Sequence, residues 1–142
     1  MRIRVKYHTD IDEICSAHEG EWIDLRCAED VTMEFGDYKL ISLGVSIELP
    51  QGYEALVIPR SSTFKKYGIL LANSIGLIDN TYCGDDDIWR FPAVCLAKRT
   101  TIPKNERICQ FRIQPIQSDV QIERVEILGN PSRGGLGSTG RV

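Results

Sequence analysis

Short alternating stretches separated by turn residues constrain the fold of this chain more than any other feature of its sequence. Residues 1–7 and 31–35 alternate apolar and polar side chains, which is the period of two that a half-buried strand shows. Residues 39–49 form a longer stretch of this kind. After the turn at 50–52, residues 53–58 are predicted to return as the second strand of a hairpin.

The remaining apolar stretches predict further strands, at residues 69–72, 75–78, 88–98, 107–115 and 120–128. Helical periodicity is scarce. A short helix is predicted at residues 62–67, with Ser61 or Ser62 as its N-cap and Gly68 as its end, and residues 11–18 are a weaker candidate. Many short strands with regular turn signals predict an all-β sandwich, jelly roll or barrel.

Composition and charge narrow the class of protein. The chain has 142 residues, 42% hydrophobic and 26% charged, which fits one soluble globular domain. The net charge of −3 disfavours a general nucleic-acid binder, although locally placed arginines can still bind a triphosphate. Since there is no apolar run of membrane-spanning length and the first residues alternate like a strand, we expect a cytoplasmic protein without membrane contact.

The cysteines and histidines are poorly arranged for a metal site or a disulfide framework. The five cysteines are widely spaced and form no C-x-x-C pair. Only two histidines are present, both near the N-terminus. The cysteines are therefore predicted to be free thiols, and neither a structural zinc site nor a histidine-based triad is expected.

Five clusters of polar residues and glycines lie at the ends of predicted strands. In one of them Pro59 stops a strand, and Arg60, Ser61 and Ser62 follow at the start of the predicted helix. A guanidinium and two hydroxyls at a helix N-terminus favour a bound anion. An ordinary capped turn with an exposed arginine fits the same residues.

A second cluster, residues 73–85, is predicted to form a hairpin with Asp79 at the lip of a pocket. A carboxylate in that position can accept a proton from water as a general base. Tyr82 offers a flat floor for a ring. The alternative is a hairpin in which Asp79 only makes its own turn bond.

Three further clusters are weaker taken one at a time. Asp24 lies between apolar neighbours, where a solvated aspartate is the default interpretation. Gln110 lies inside an apolar strand and needs a hydrogen-bond partner if it is buried. Residues 133–142 contain four glycines, two hydroxyls and two arginines, which suit a segment that closes over phosphates as well as a floppy terminus.

In order and spacing, these five clusters resemble the five motifs of the trimeric dUTPase family. The resemblance is strongest to dUTPases of Gram-positive bacteria and their phages, in residues 22–26 (WIDLR), 59–63 (PRSST) and 107–113 (RICQFRI). It implies a distorted, jelly-roll-like β-barrel subunit in a homotrimer with shared active sites. The implied β-rich domain is 1–128, followed by a flexible glycine-rich tail, 129–142, that closes over the nucleotide.

The activity that the resemblance implies is hydrolysis of dUTP to dUMP and pyrophosphate with Mg²⁺, without direct nucleic-acid binding. This reaction keeps uracil out of DNA and supplies dUMP for dTMP synthesis. Two alternatives remain open: a dCTP deaminase, which shares the fold, and a phage regulatory protein that binds a repressor.

The resemblance also implies roles for the residues of the hairpin. Asp79 would orient and activate the attacking water, and Tyr82 would pack under the deoxyribose. Uracil would be bound by the side chain of Asn73 and by the hairpin backbone around Gly76 and Ile78.

The other implied roles concern the phosphates and the metal. Asp24 would act on Mg²⁺ through water, with the ion held mainly by phosphate oxygens. Phosphate oxygens and the attacking water would contact Arg60, Ser61, Ser62 and Gln110. The tail, which the resemblance assigns to a neighbouring subunit, would cover the γ-phosphate with Arg133, Gly135, Ser138 and Thr139.

The sequence departs from the family pattern where an aromatic residue stacks on uracil. Many relatives have a phenylalanine in the tail, and here Leu136 stands at or beside that place. Arg90 is the first candidate for the covering side chain because a guanidinium can stack on a planar ring, and Phe91 is the second. Alternatively, Trp89 and Phe91 belong to the core. Thr81 also replaces a residue that is frequently acidic.

Overall fold

The computed structural model describes residues 1–16 and 21–137. Within them the chain forms strands and one short helix, which confirms the predicted all-β class. In chain order the elements are β1 (Arg4–Tyr7), β2 (Ile23–Arg26), β3 (Val31–Glu34), β4 (Tyr38–Ser42), β5 (Val45–Glu48), β6 (Tyr53–Pro59), α1 (Thr63–Tyr67), β7 (Ile69–Leu71), β8 (Gly76–Ile78), β9 (Arg90–Cys95), β10 (Arg99–Ile102) and β11 (Arg107–Pro115).

The strands pair in an antiparallel manner in two larger sheets and two short ribbons. Sheet I has the order β2-β11-β6-β8, and sheet II has the order β4-β9-β7. The ribbons are β1-β5 and β3-β10. Strand β11 is the longest, and it pairs with β2 on one side and with β6 on the other.

Aromatic side chains join the two larger sheets across the core. Three aromatic side chains are fully buried: Trp89, directly before β9, Phe91, the second residue of β9, and Phe111, in the middle of β11. The rings of Trp89 and Phe111 meet edge to face, with centroids 5.3 Å apart and planes at 80°. This contact fixes the start of β9, which carries Arg90, relative to β11, which carries Gln110.

Residues 39–49 do not form one strand as predicted. Strands β4 and β5 are separated at Leu43 and Gly44, where the chain leaves sheet II and pairs with β1 instead. Gly44 has a φ of +68°, and a Cβ there would lie 2.8 Å from the Cβ of Ala28. The break therefore depends on a left-handed, tightly packed glycine that the apolar pattern around it concealed.

The predicted hairpin of residues 39–49 with 53–58 is also wrong. Strand β5 pairs with β1, whereas β6 pairs with β11 and β8. The turn at 50–52 thus carries the chain from one sheet to another. Periodicity identifies the strands correctly here, but it does not specify their partners.

The helix prediction is confirmed for α1, whose N-cap is Ser62 and whose last turn ends at Gly68 in the left-handed conformation. Residues 11–16 form no helix, and residues 17 and 18 of that candidate lie outside the described residues. No helix in the described part of the chain is long and apolar enough to cross a membrane.

The predicted strand at 120–128 is wrong for the isolated chain. Residues 116–137 are exposed and form no strand, and the side chains of Ile122 and Ile127 are 93% and 83% exposed. Two strands of four residues each, β2 and β10, were not predicted, because charged or polar side chains fill two of the four positions in β2 and three of the four in β10.

We predict that Gly44→Ala destabilises the protein more than Gly52→Ala does. Both glycines have positive φ, so both substitutions carry the left-handed cost of about 1–2 kcal/mol. Only Gly44 has a neighbour within clashing distance, whereas nothing lies within 4 Å of a Cβ at Gly52. The additional cost at Gly44 is about 1–3 kcal/mol, measured as the difference in free energy of unfolding by denaturant titration. Equal losses would contradict the packing argument.

Candidate active site

A cleft of about 320 Å³ opens beside strand β8 and the first residues of β9. The structure brings together on its lining the residues that the sequence suggested for binding the base and the sugar, the first candidate for covering the base, and the candidate general base. They are Asn73, Gly76, Ile78, Asp79, Tyr82 and Arg90.

Strand β8 supplies the backbone wall of this cleft. It lies at the end of the strand order of sheet I, and its paired neighbour there is β6. An edge strand leaves backbone N–H and C=O groups free to bond a ligand. Gly76 lets β8 approach β6 closely, because a Cβ there would lie 3.2 Å from the Cβ of Val57.

The predicted hairpin of residues 73–85 is wrong, because β8 is the one strand in that stretch and residues 79–85 form no second strand to pair with it. Strand β7 pairs with β9 of sheet II, whereas β8 pairs with β6 of sheet I. The connection between them bends at Ser74, with φ of 63°, and the N–H of Ile75 donates to the carbonyl of Asn73 at 2.7 Å. The cleft therefore lies where the two sheets separate, which is a natural place for a ligand pocket.

Asp79 follows β8 directly and is exposed to solvent. Its Oδ1 accepts hydrogen bonds from the hydroxyl of Thr81 and from the backbone N–H of Thr81 at 2.7 Å. The Thr81 hydroxyl bond, followed by the backbone bond, holds the pKa of Asp79 below its ordinary value. Asp79 is thus ionised at neutral pH, and Thr81 has a clear structural role.

Tyr82 lies across the same loop with 41% of its surface exposed. Its hydroxyl donates to the carbonyl of Ile88 at 3.2 Å, which holds the ring in position beside the cleft.

The alternation of β9 decides which side chain near the cleft can cover a ligand. Phe91 is fully buried, so its candidacy as the covering side chain is wrong, and the alternative that Trp89 and Phe91 belong to the core is confirmed. Arg90 is exposed and lines the cleft. Leu136 is fully exposed and lies in the tail.

A second polar cluster forms in sheet I where β2, β11 and the end of β6 meet. The carboxylate of Asp24 on β2 bonds the Nε of Arg60 at 3.0 Å and the Nη1 of Arg107 at 3.1 Å. Gln110 lies opposite Asp24 in the ladder of β2 and β11, and its Nε2 donates to the carbonyl of Pro59 at 3.3 Å. Gln110 thereby has the partner that a half-buried amide needs.

Arg107 belongs to this cluster although it was not selected from the sequence. It begins β11, and the ladder with β2 shifts register between Arg107 and Cys109. Such an irregularity re-aims a side chain, here toward Asp24. Nothing in the sequence indicates this bulge, and the one sequence signal for Arg107 was its place at the start of the motif at 107–113.

The turn before α1 exposes Ser61 and Ser62 next to Arg60. Ser62 is the N-cap of α1 but makes no side-chain capping bond. Because α1 has only five residues, its dipole adds little, and the positive charge near this turn comes from the guanidiniums of Arg60 and Arg107.

The cleft and the cluster around Asp24 lie at opposite ends of β6. Ile78 pairs with Ala55 near the start of β6, whereas Arg60 comes directly after its end. Five residues of extended strand span about 16 Å. The candidate general base and the candidate phosphate ligands are therefore not assembled into one site within a single chain.

The tail residues that the structure describes are not brought to the cleft by their own chain. Arg133 and Gly135 lie in the exposed stretch 116–137 and are not among the residues that line the cleft. Ser138 and Thr139 lie outside the described residues.

The metal-ligating groups are sparse. Within residues 1–16 and 21–137, no group of three or more His, Cys, Asp or Glu side chains is placed to hold a metal ion. Asp24 offers one carboxylate, already bonded to two arginines. This donor set fits an ion that keeps most of its waters and binds ligand phosphates, as Mg²⁺ does.

Comparison with known proteins identifies the family that the motifs resemble. A family model for dUTPase matches residues 19–140. The SPbeta prophage-derived deoxyuridine 5'-triphosphate nucleotidohydrolase YosS of Bacillus subtilis (strain 168) is 50% identical over 141 residues, which cover 99% of this chain and 99% of that protein.

Solved structures share the fold. The Staphylococcus bacteriophage 80alpha dUTPase with dUPNHPP aligns with a TM-score of 0.74 at 24% identity, over 99% of each chain. A mutant dUTPase from phage phi11 of S. aureus, described with a structural Mg(II) ion, aligns with a TM-score of 0.74 at 18% identity, over 90% of this chain and 99% of that one.

These likenesses confirm the jelly-roll-like all-β fold that the motif resemblance implied. The family model covers most of the chain, and the prophage relative matches it over nearly its full length. This chain therefore belongs to the dUTPase family.

Proposed function

We propose that this protein hydrolyses dUTP to dUMP and pyrophosphate, with a water molecule activated by Asp79. One observation carries the proposal: an ionised carboxylate follows an edge strand whose backbone lines a cleft of about 320 Å³. The names of the prophage and phage relatives agree with this reaction. Hydrolysis of dUTP would keep uracil out of DNA and would supply dUMP for dTMP synthesis.

Recognition of the base is assigned to β8 and to the turn before it. Backbone groups of β8 around Gly76 and Ile78, with the amide of Asn73, suit the planar edge of uracil. Uracil and cytosine differ in their donor and acceptor pattern, so fixed backbone groups that fit one leave an unpaired polar group with the other. Arg90 would cover the base by stacking its guanidinium.

Recognition of the sugar is assigned to Tyr82. Its ring would lie under the deoxyribose and leave no room for a 2′-hydroxyl. The bond from its hydroxyl to the carbonyl of Ile88, which holds the ring beside the cleft, supports this role.

The chemical step needs one base and one water. Both bonds from Thr81 go to Oδ1 of Asp79, so we assign the water to Oδ2. The water oxygen forms a bond to the α-phosphorus while the bond to the β-phosphate oxygen breaks. Asp79 takes the proton of the water, and pyrophosphate leaves. General-base assistance of this kind contributes on the order of 10²–10⁴-fold.

The phosphates are assigned to the cluster at the other end of sheet I. Arg60, Gln110 and the hydroxyls of Ser61 and Ser62 would bind phosphate oxygens, with Arg107 adding positive charge. Mg²⁺, when bound, would neutralise phosphate charge, and Asp24 would contact it through water. Positioning and charge neutralisation are what phosphoryl transfer mainly requires.

A complete site would need more than one copy of the chain. The base half and the phosphate half lie about 16 Å apart along β6, so a bound nucleotide would join halves from neighbouring copies. We therefore propose a homotrimer in which the β-rich domain of 1–128 builds the shared sites. The tail of 129–142, with Arg133, Gly135, Ser138 and Thr139, would close over the γ-phosphate.

The experiment that tests the proposed function is pyrophosphate release from dUTP, dCTP, dTTP and UTP in the presence of Mg²⁺. We expect release from dUTP alone. Ammonia release from dCTP would instead support a deaminase, and equal turnover of UTP would contradict the role of Tyr82.

We predict that Asp79→Asn keeps dUTP binding and loses most turnover. The amide preserves the shape of the side chain but cannot accept the proton, so kcat should fall by about 10²–10⁴-fold with little change in nucleotide affinity. Asp86→Asn, a change of an exposed carboxylate in the same loop, is the matched control and should keep wild-type kcat. Near-normal kcat for Asp79→Asn would refute the general-base role.

We predict that Thr81→Val moves the acid limb of the pH profile of kcat/KM to higher pH. The Thr81 hydroxyl bonds the charged form of Asp79, so its removal raises the pKa of Asp79 toward its ordinary value. Activity should then be lost at a higher pH as the buffer is acidified. Thr81→Ser keeps the hydroxyl and should retain the wild-type profile. An unshifted limb in Thr81→Val would show that another group controls it.

A further inference from the structure

A buried threonine connects the two segments that carry the candidate phosphate ligands. Thr63 is the first residue of α1, and only 2% of its surface is exposed. Its Oγ1 accepts a hydrogen bond from the N–H of Arg60 at 3.0 Å and donates to the carbonyl of Ile108 at 2.7 Å. One hydroxyl thus bonds the turn after β6 and strand β11 together.

Two further hydrogen bonds make this connection rigid. The N–H of Thr63 donates to the carbonyl of Arg60 at 3.0 Å, so Arg60 and Thr63 are bonded in both directions. On the other side, Ile108 lies two residues before Gln110 on β11. The Nε2 of Gln110 donates to the carbonyl of Pro59 at 3.3 Å. The ladder of β6 with β11 ends at Pro59 opposite Cys109, so beyond it the Thr63 hydroxyl holds the backbone of Arg60 to β11.

We propose that Thr63 is a positioning residue for the phosphate half of the site, holding Arg60 at the distance from Gln110 that a bound triphosphate requires. The proposal rests on the proposed function. Threonine suits this position because its branched Cβ restricts rotation, so a buried methyl group fixes the direction of the hydroxyl. Valine has nearly the same shape but offers neither bond.

The rest of α1 does not depend on Thr63. At the other end of the helix, the hydroxyl of Tyr67 donates to Oε2 of Glu106, and Nζ of Lys66 lies 2.9 Å from the same oxygen. This second attachment holds α1 against the start of β11. Loss of the Thr63 hydroxyl should consequently loosen the turn that carries Arg60 without detaching the helix.

The test compares Thr63→Val, Thr63→Ser and Thr100→Val for kcat, KM of dUTP and melting temperature. Thr100 is a second buried threonine, placed on β10 opposite Met33 and outside the phosphate cluster. We expect Thr63→Val to lower kcat/KM by about 10- to 100-fold, because small misplacements of binding groups have effects of that size. Thr63→Ser should recover most of this loss, and Thr100→Val should keep wild-type kinetics even where its melting temperature falls.

The outcomes separate a positioning role from a structural one. Wild-type kinetics in Thr63→Val, or equal kinetic losses in Thr63→Val and Thr63→Ser, would overturn the proposal. If Thr63→Val does not fold, Thr63→Ala, which also lacks the hydroxyl and adds no bulk, takes its place in the comparison. A wild-type protein that releases no pyrophosphate from dUTP would overturn the proposed function itself, and the role of Thr63 with it.

Discussion

The pairing of β11 with strands on both sides is the interaction on which the rest of this structure depends. Its inward side chain Phe111 packs against Trp89 and so joins the two larger sheets. Its outward side chain Gln110 lies opposite Asp24 on one side and Ile58 on the other. A shift of one residue in this register would exchange the buried and exposed faces of the strand, so the core and the phosphate cluster are specified together.

The same sheet keeps the two halves of the proposed site apart. Strand β6 pairs with β8 near its beginning and leads into Arg60 at its end, so the cleft beside Asp79 and the cluster around Asp24 face different surroundings. Each half has its own chemistry: a backbone edge and an ionised carboxylate in one, two guanidiniums and an amide in the other. A rigid sheet cannot fold back to unite them, which is the physical reason for proposing that copies of the chain assemble.

The sequence predicted local structure, but it did not predict which strands pair. Strand β11 and the end of α1 at Gly68 were predicted because both depend only on consecutive residues. In β11 these residues alternate, and in α1 a left-handed glycine follows the helix. The break at Gly44 depends on contact with Ala28, which lies far away in the sequence. The position of Arg107 beside Asp24 depends on a bulge, and residues 120–128 carry a strand-like pattern but pair with no strand in the described part of the chain.

The most direct test of the central claim, that active sites form between copies of the chain, is complementation between two inactive variants. Asp79→Asn and Arg60→Ala chains would be unfolded together, refolded as a 1:1 mixture and assayed for pyrophosphate release from dUTP. If each site takes its two halves from different copies, about a quarter of the sites receive two intact halves, and about a quarter of wild-type activity returns. If each chain builds its own site, no site is intact, and a mixture as inactive as the separate variants would contradict the account.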